Sequence, residues 1–316
     1  MKATLTLHSS GGSGGEGPRN WIQVLANSLP ATFVTILHAY ILRTQPEHCY
    51  GFGGLARNIL PIGIIAHYAA VAADTFSSEL GILASSPPRL ITSSTFRVVP
   101  KGTNGGVTLF GLLAGLLGSA ILVAAALPFI PYCPVYTDSR NDIREPSGTE
   151  GGYGWGLEEK GKLFVALTLW GALGSVLDSL LGGLFQATVT DIRSGRVIEG
   201  DGGRTVLVSP ARRGSAVMAS SSETNPTAEM KARVMPGREG KGAVPQPVQD
   251  DVLKARKEGA LVPVGHESRQ VETGMGIMDN NQVNLLMAAT MSTGAMAIAA
   301  WYWGVEGVWS LAGYRG

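Results

Sequence analysis

The sequence of 316 residues lacks a strong excess of charge of either sign. Its 25 Lys and Arg against 24 Asp and Glu leave a formal net charge of +1, whereas a nucleic-acid-binding protein normally concentrates basic residues on one face. Charged residues make up only 16% of the chain, hydrophobic residues make up 45%, and Gly contributes 43 residues. This balance argues against a nucleic-acid partner and is typical of a membrane protein with a polar insert.

The sequence also contains few cysteines, and its N-terminus lacks an apolar core. Cys49 and Cys133 are the only cysteines, too few for a disulfide framework or a Cys-based zinc site. The first residues have one early Lys and then a Gly/Ser run where a signal peptide needs an apolar core. Residues 1–20 are therefore interpreted as a flexible tail.

Long apolar runs are abundant, and each could cross the roughly 30 Å hydrocarbon core of a bilayer as a helix of about 20 residues. Three are uninterrupted: residues 105–130, 162–186 and 283–304. Residues 21–42, interrupted by Pro30, and residues 55–83 are weaker candidates. The strong segments lack the polar face of a soluble helix, so a soluble protein with buried helices is disfavoured. The sequence predicts an all-α membrane protein with about five transmembrane helices.

A long polar section separates the fourth and fifth predicted helices. It begins with alternating apolar and polar residues around Ser194 and Gly195, which predicts a short β-hairpin. The rest, residues 210–270, is rich in Ser, Pro, Gly and mixed charge and predicts disorder. The predicted divisions are a tail (1–20), a membrane domain with four helices (21–187), the polar insert (188–278), the last helix (279–304) and a C-terminal tail (305–316).

Five helices would bring four polar motifs to one membrane face. They are "ADTFSSELG" at the end of the second span, "PKGTNGG" in the next loop, the Asp178 region late in the fourth span, and "MDNNQVN" before the fifth. The Lys and Arg distribution favours this face as the cytosolic one, weakly, because long loops count little in the positive-inside rule. Such a face would have access to cytosolic nucleotides.

Asp74 and Glu79 place two carboxylates at the end of an apolar span. A carboxylate at membrane depth is costly and usually marks an ion or substrate site. Five positions apart on a helix, the two would lie about 140° from each other. With phosphate nearby they suggest Mg²⁺, which uses one or two carboxylates and substrate oxygens. The alternative is that Asp74 caps a helix and Glu79 lies in headgroup water.

The "PKGTNGG" segment combines a cation, a hydroxyl, an amide and glycines before a long helix. Glycines let backbone N–H groups approach an anion, and a helix N-terminus favours negative charge. The order of residues is not that of a Walker A loop, and a plain turn is the alternative. Arg89 is a further phosphate candidate or a headgroup anchor. The candidate phosphate-binding residues here are Arg89, Lys101, Gly102, Thr103, Asn104, Gly105 and Gly106.

Asp178 stands in an apolar segment with no counter-ion near it in sequence. It either meets a metal or partner inside the bundle or is protonated and hydrogen-bonded. In "MDNNQVN", the polar side chains could bind a metal, a base or a ribose, or Asp279 could simply cap the fifth helix.

The ordered motifs "ADTFSSELG", "PRLIT", "VPKGTNGGVTLFG", "GALGSVLDSLLG" and "MDNNQVNL", with "RNWIQVLAN" before them, resemble the integral-membrane family typified by transmembrane protein 19, long catalogued as domain of unknown function 92. The resemblance runs from about residue 19 to residue 303. Family members usually have further helices before the "RNW" segment and a shorter section before "DNN". By comparison, we expect this chain to be N-terminally short and to carry an insertion.

The family's plant branch is implicated in phytyl-phosphate kinase activity, so the resemblance implies a polyprenyl-phosphate kinase in an endomembrane. It would transfer a phosphoryl group from CTP or another nucleoside triphosphate to an isoprenoid monophosphate held in membrane lipid. Asp74 and Asp178 would be catalytic and, with Glu79, would hold Mg²⁺; Asn280 and Asn281 would contact the nucleotide. The competing hypothesis is a non-enzymatic transporter or lipid-binding scaffold in which the carboxylates bind a cation or proton.

Overall fold

A bundle of long helices forms the body of the protein. The computed structural model describes residues 5–9, 20–44, 49–51, 58–134, 154–206 and 269–305. Within those ranges, five helices are long and apolar enough to cross a membrane, which confirms the predicted all-α membrane class. They are α1 (Trp21–Thr44), α2 (Ile59–Gly81), α3 (Leu109–Ala126, extended by a 3-10 turn at Leu127–Phe129), α4 (Leu157–Phe185) and α5 (Asn280–Tyr302).

Helix α2 lies at the centre and packs against all four other helices. Small residues allow the close approach. A Cβ on Gly174 of α4 would lie 2.5 Å from the Cβ of Ala70 on α2, and a Cβ on Gly118 of α3 would lie 2.8 Å from the ring of Phe76. Membrane helices associate through such positions because apolar side chains gain little by leaving lipid.

Helix α1 is the outermost of the five and contacts mainly α2 and α5. It runs without a break through Pro30, so the predicted interruption of this span is wrong. Pro30 lacks an N–H and removes one helix hydrogen bond, a loss that membrane helices tolerate. The buried His67 of α2 joins the two helices, with its Nε2 2.9 Å from the carbonyl oxygen of Asn27.

A small four-stranded sheet covers one end of the bundle, and we call it the cap together with the turn at Asp201–Gly203. Its strand order is β1 (Leu7–His8), β5 (Val197–Glu199), β4 (Thr188–Asp191) and β6 (Arg269–Thr273). Strands β4 and β5 pair antiparallel, at the place where the alternation predicts a hairpin. A separate pair, β2 (Arg89–Leu90) and β3 (Gly106–Val107), lies in the loop between α2 and α3.

Two details of the cap differ from the sequence-based expectations. The N-terminal residues were expected to be a flexible tail, but Leu7 and His8 pair in parallel with Ile198 and Glu199. Their partners lie about 190 residues away along the chain, and local composition carries no trace of such a pairing. Similarly, Arg269 begins a strand although disorder was predicted through residue 270; the rest of that predicted segment, 210–268, lies outside the described residues.

The opposite end of the bundle is closed by a disulfide between Cys49 and Cys133, which the sequence analysis did not expect. Beside it, Tyr50 stacks on Trp155 with ring centroids 5.4 Å apart. Burial raises the pKa of Tyr132, which contacts both rings, to about 12. The phenol groups of Tyr50 and Tyr132 are therefore neutral at physiological pH. The aromatic cluster adds no charge to this end of the bundle.

Substitution of Gly171 tests the small-residue packing. In Gly171→Ala, the new Cβ would clash with Ser119 Oγ and come within 2.7 Å of the Ala69 Cβ. Overpacking of this kind costs about 1–3 kcal/mol, so we expect a lower melting temperature in detergent. The matched control is Gly161→Ala on the same helix, where the Cβ meets nothing within 4 Å. Equal melting temperatures for the two variants would contradict the packing described.

The disulfide predicts the orientation of the protein, because disulfides persist in oxidising compartments. We expect the Cys49–Cys133 end to face away from the cytosol and the cap end to face it. In sealed membrane vesicles, a maleimide reagent should label neither cysteine before reduction and both after reduction and permeabilisation. A cysteine introduced at exposed Ser194 of the cap should react with reagent supplied from the cytosolic side. Its reaction only from the other side would contradict the orientation.

Candidate functional site

A cavity of about 660 Å³ lies between the cap and the ends of the helices. All five helices contribute to it, together with the loop between α2 and α3 and strands of the cap. Of the residues predicted from the sequence, those that line it are Asp74, Glu79, Lys101, Gly102, Thr103, Asn104, Gly105, Gly106, Asp178 and Asn280. Arg89 and Asn281 do not line it. The four polar motifs thus meet at one end of the bundle.

The carboxyl groups of Asp74 and Asp178 lie close to each other in the cavity wall. Two neighbouring carboxyl groups repel each other when both are ionised, and a shared proton or a bound cation would relieve that repulsion. Asn284 completes the group: with its amide nitrogen turned toward Asp178, it donates to Oδ1 at 3.0 Å and to the Asn280 carbonyl at 3.2 Å. Helices α2, α4 and α5 therefore meet through polar groups inside an apolar bundle.

Glu79 lines the same cavity but does not join this pair. Among the described residues, no group of three or more His, Cys, Asp or Glu side chains could hold a metal ion. The predicted three-carboxylate metal set of Asp74, Glu79 and Asp178 is therefore not assembled. The reason is helix geometry, because five positions along α2 separate two residues by about 140° and 7.5 Å of rise.

The Gly-rich loop before α3 packs closely against α4 and also lines the cavity. Gly105 has φ +78°, and a Cβ there would lie 2.6 Å from the Cα of Gly183 on α4. Three of the amides in this loop already donate within the protein: Thr103 N to Pro100 O, Asn104 N to Thr188 Oγ1, and Gly106 N to Thr103 O. The loop consequently offers an anion fewer backbone donors than its sequence predicts.

Both predicted cations have structural contacts. The Lys101 ammonium donates to the carbonyls of Ile82 at 3.3 Å and Ala84 at 2.6 Å, where it closes the C-terminal end of α2. Arg89 lies outside the cavity, and its Nη1 donates to the Phe96 carbonyl at 3.1 Å. The turn after β2 draws Arg89 away, a local geometry that the residue spacing did not reveal.

The polar residues at the start of α5 have different structural roles. Asp279 forms a capping box with Gln282, as the simpler interpretation of this motif proposed. Asn280 faces the cavity, whereas Asn281 is buried and donates from Nδ2 to the Gly202 carbonyl at 3.1 Å. Asn281 therefore holds the cap on the bundle, and nucleotide contact through its side chain is not supported.

Several cavity residues were not among the sequence-based candidates. Gln23 and Asn27 come from α1, and Thr188, Glu199 and Arg204 come from the cap. The polar pair on α1 stands four residues apart within a span, a signal that could have been noticed. The cap residues lie in a segment that reads as an ordinary hairpin, so only the tertiary structure identifies them.

The length and the apolar composition of the five helices identify the chain as an integral membrane protein. Its polar cavity lies at one end of the helix bundle. Its motifs and its fold agree with one family in particular. The chain belongs to the family described as integral membrane protein DUF92, whose model matches residues 1–292.

Individual relatives are similar over part of their length. The chain is 36% identical to Protein PGR of Arabidopsis thaliana over 171 residues, which are 54% of this chain and 53% of the relative. It is 36% identical to an uncharacterized membrane protein of Methanocaldococcus jannaschii over 168 residues, 53% of this chain and 52% of the relative. Protein VTE6, chloroplastic, of Arabidopsis thaliana is 33% identical over 112 residues, 35% of this chain and 29% of the relative. The chain thus spans about half or less of these relatives, and no solved structure matches it significantly.

Replacement of Asn281 tests its role as the anchor of the cap. Asn281→Ala leaves the buried Gly202 carbonyl without its partner, a loss of about 1–3 kcal/mol. We expect faster hydrogen–deuterium exchange in residues 197–206 and a lower melting temperature. The control is Thr290→Ala on the same helix, whose hydroxyl only bonds back to Leu286 O. Unchanged exchange in the cap would show that Asn281 does not anchor it.

Proposed function

We propose that the protein is a membrane kinase that transfers a phosphoryl group from a nucleoside triphosphate, with CTP favoured, to an isoprenoid monophosphate such as phytyl phosphate. The observation that carries the proposal is the close pair of carboxyl groups, Asp74 and Asp178, in a polar cavity at the end of a membrane bundle. The family resemblance supplies the substrate class.

The donor set of this pair fits Mg²⁺. The ion prefers hard oxygen ligands and usually combines one or two carboxylates with waters and substrate phosphate oxygens. Asp74 and Asp178 would hold it, and when bound it would neutralise charge on the phosphates. Asn280 and Asn284, which also line the cavity beside this pair, are neutral amides.

The proposed reaction joins an oxygen of the lipid monophosphate to the γ-phosphorus of the nucleotide. The bond between that phosphorus and the β–γ bridging oxygen breaks, so the products are an isoprenoid diphosphate and a nucleoside diphosphate. Phosphoryl transfer depends mainly on position and charge neutralisation, which a cavity lined by fixed helix ends can supply. The exposed apolar faces of α1 and α3, including Phe33, Leu113 and Leu117, would lie in the same lipid as the isoprenoid chain.

A transporter with a proton or cation site remains the competing function. Transporters commonly place such sites at interrupted helices near the middle of the membrane. Here α2 and α4 run continuously past Asp74 and Asp178, and both carboxylates lie toward the cap end of their helices. This arrangement favours chemistry at the membrane surface.

The kinase proposal predicts that Asp74→Asn and Asp178→Asn each lower turnover by about 100-fold or more, the scale expected when a charge-stabilising group is lost. Purified protein in detergent would be incubated with Mg²⁺, labelled CTP or ATP, and phytyl, farnesyl or geranylgeranyl monophosphate. Formation of lipid diphosphate is the measurement. Both variants keep side-chain shape and hydrogen bonding, so they should remain folded.

Two controls make the assay specific. Glu158→Gln removes an exposed carboxylate at the other end of α4, where it pairs only with Lys162, and should leave turnover unchanged. Glu79→Gln should have a smaller effect than either Asp variant, since Glu79 lies outside the pair. No diphosphate from folded wild-type protein with every donor and lipid would refute the kinase, and full activity in both Asp variants would refute the site.

A further inference from the structure

The charge of the cavity wall opposes the binding of a polyphosphate. Five acidic side chains line the cavity, Asp74, Glu79, Asp178, Glu199 and Asp279, against two basic ones, Lys101 and Arg204. Phosphate oxygens would meet a net negative surface even with one proton shared between Asp74 and Asp178. A divalent ion relieves part of this repulsion, and a free cationic side chain would relieve more.

Lys101 is poorly placed to supply that charge. Two of its three ammonium donors are directed to the carbonyls of Ile82 and Ala84. Moving the ammonium to a phosphate would open the end of α2, one helix turn beyond the Ser77–Ser78 segment of the cavity wall. Its contribution is therefore mainly to position this helix end.

Arg204, the other basic residue of the cavity wall, differs from Lys101 in its contacts. Its side chain is exposed, and within the described part of the chain its guanidinium has no hydrogen-bond or ion-pair partner. An unpaired guanidinium keeps its five donors available, in the fork geometry that suits phosphate oxygens.

The backbone that carries Arg204 is well fixed. Asn281 of α5 donates to the Gly202 carbonyl at 3.1 Å, and the Arg204 amide donates to the Asp201 carbonyl at 3.3 Å. His8 of the N-terminal strand lies 4.0 Å from the Asp201 carboxylate. Gly202 and Gly203 adopt positive φ values of +60° and +78°, which lets the turn fold back over the start of α5.

We propose that Arg204 binds phosphate oxygens of the water-soluble substrate, so that the cap forms part of the polyphosphate site. The inference rests on the proposed function for the identity of that substrate, a nucleoside triphosphate. Its exposed position on the cap, outside the five apolar spans, favours the soluble substrate over the lipid monophosphate. The cap thereby acts as a wall of the site.

Direct binding tests this assignment without turnover. Purified protein in detergent would be titrated with inorganic triphosphate and, separately, with farnesyl monophosphate, each with Mg²⁺. We expect Arg204→Gln to weaken triphosphate binding at least tenfold, the usual scale for a lost charge-assisted hydrogen bond, with little change for farnesyl monophosphate. Arg204→Lys should recover part of the affinity. The matched control, Arg196→Gln, removes the same charge from an exposed position of the cap outside the cavity.

The outcomes separate this inference from the kinase proposal. Equal triphosphate binding by wild type and Arg204→Gln, an equal loss in Arg196→Gln, or no binding by folded wild-type protein would each overturn the inference. A selective loss for farnesyl monophosphate would also overturn it, since Arg204 would then serve the lipid. A selective loss of triphosphate binding with no lipid diphosphate formed under any condition would uphold the role of Arg204 and refute the kinase.

Discussion

The contact between α2 and α4 determines where the polar groups of this protein lie. The two helices run in the same direction toward the cap, and Gly174 meets Ala70 with no room for a side chain between them. Asp178 and Asp74 each lie four residues, about one helix turn, beyond that contact. Parallel helices in register at one turn remain in register at the next, so the close contact at Gly174 brings the two carboxyls together.

This arrangement explains how an apolar bundle tolerates two acidic groups. An isolated carboxylate at membrane depth is expensive, but Asp178 accepts a hydrogen bond from Asn284, and both carboxyl groups line the cavity. The cavity beside the pair gives it access to solvent and ligands. The small residues at the helix contact therefore place the two acidic groups together at the cap end of the bundle.

The sequence predicted the features that depend on local composition, and it missed those that depend on distant pairing. Hydropathy was sufficient for the five helices, and the ordered motifs were sufficient to place Asp74, Asp178 and the Gly-rich loop at one end. Lys101 was assigned to phosphate because it belongs to the Gly-rich segment before a helix, and Arg89 was added as a basic residue near the membrane edge. Their actual acceptors, the carbonyls of Ala84 and Phe96, depend on how the loop folds back. The strand of Leu7 and the Cys49–Cys133 bond likewise join residues whose proximity no periodicity encodes.

The cap is attached to the membrane helices at several separate points, which bears on what it can do. Asn281 binds Gly202, the Asn104 amide binds Thr188 Oγ1, and Arg97 forms an ion pair with Glu272 at 2.9 Å. These contacts tie the cap to the start of α5 and, at two places, to the loop between α2 and α3. The bundle thereby holds the cap beside the cavity that Asp74 lines, as the proposed alignment of two phosphorylated substrates would require.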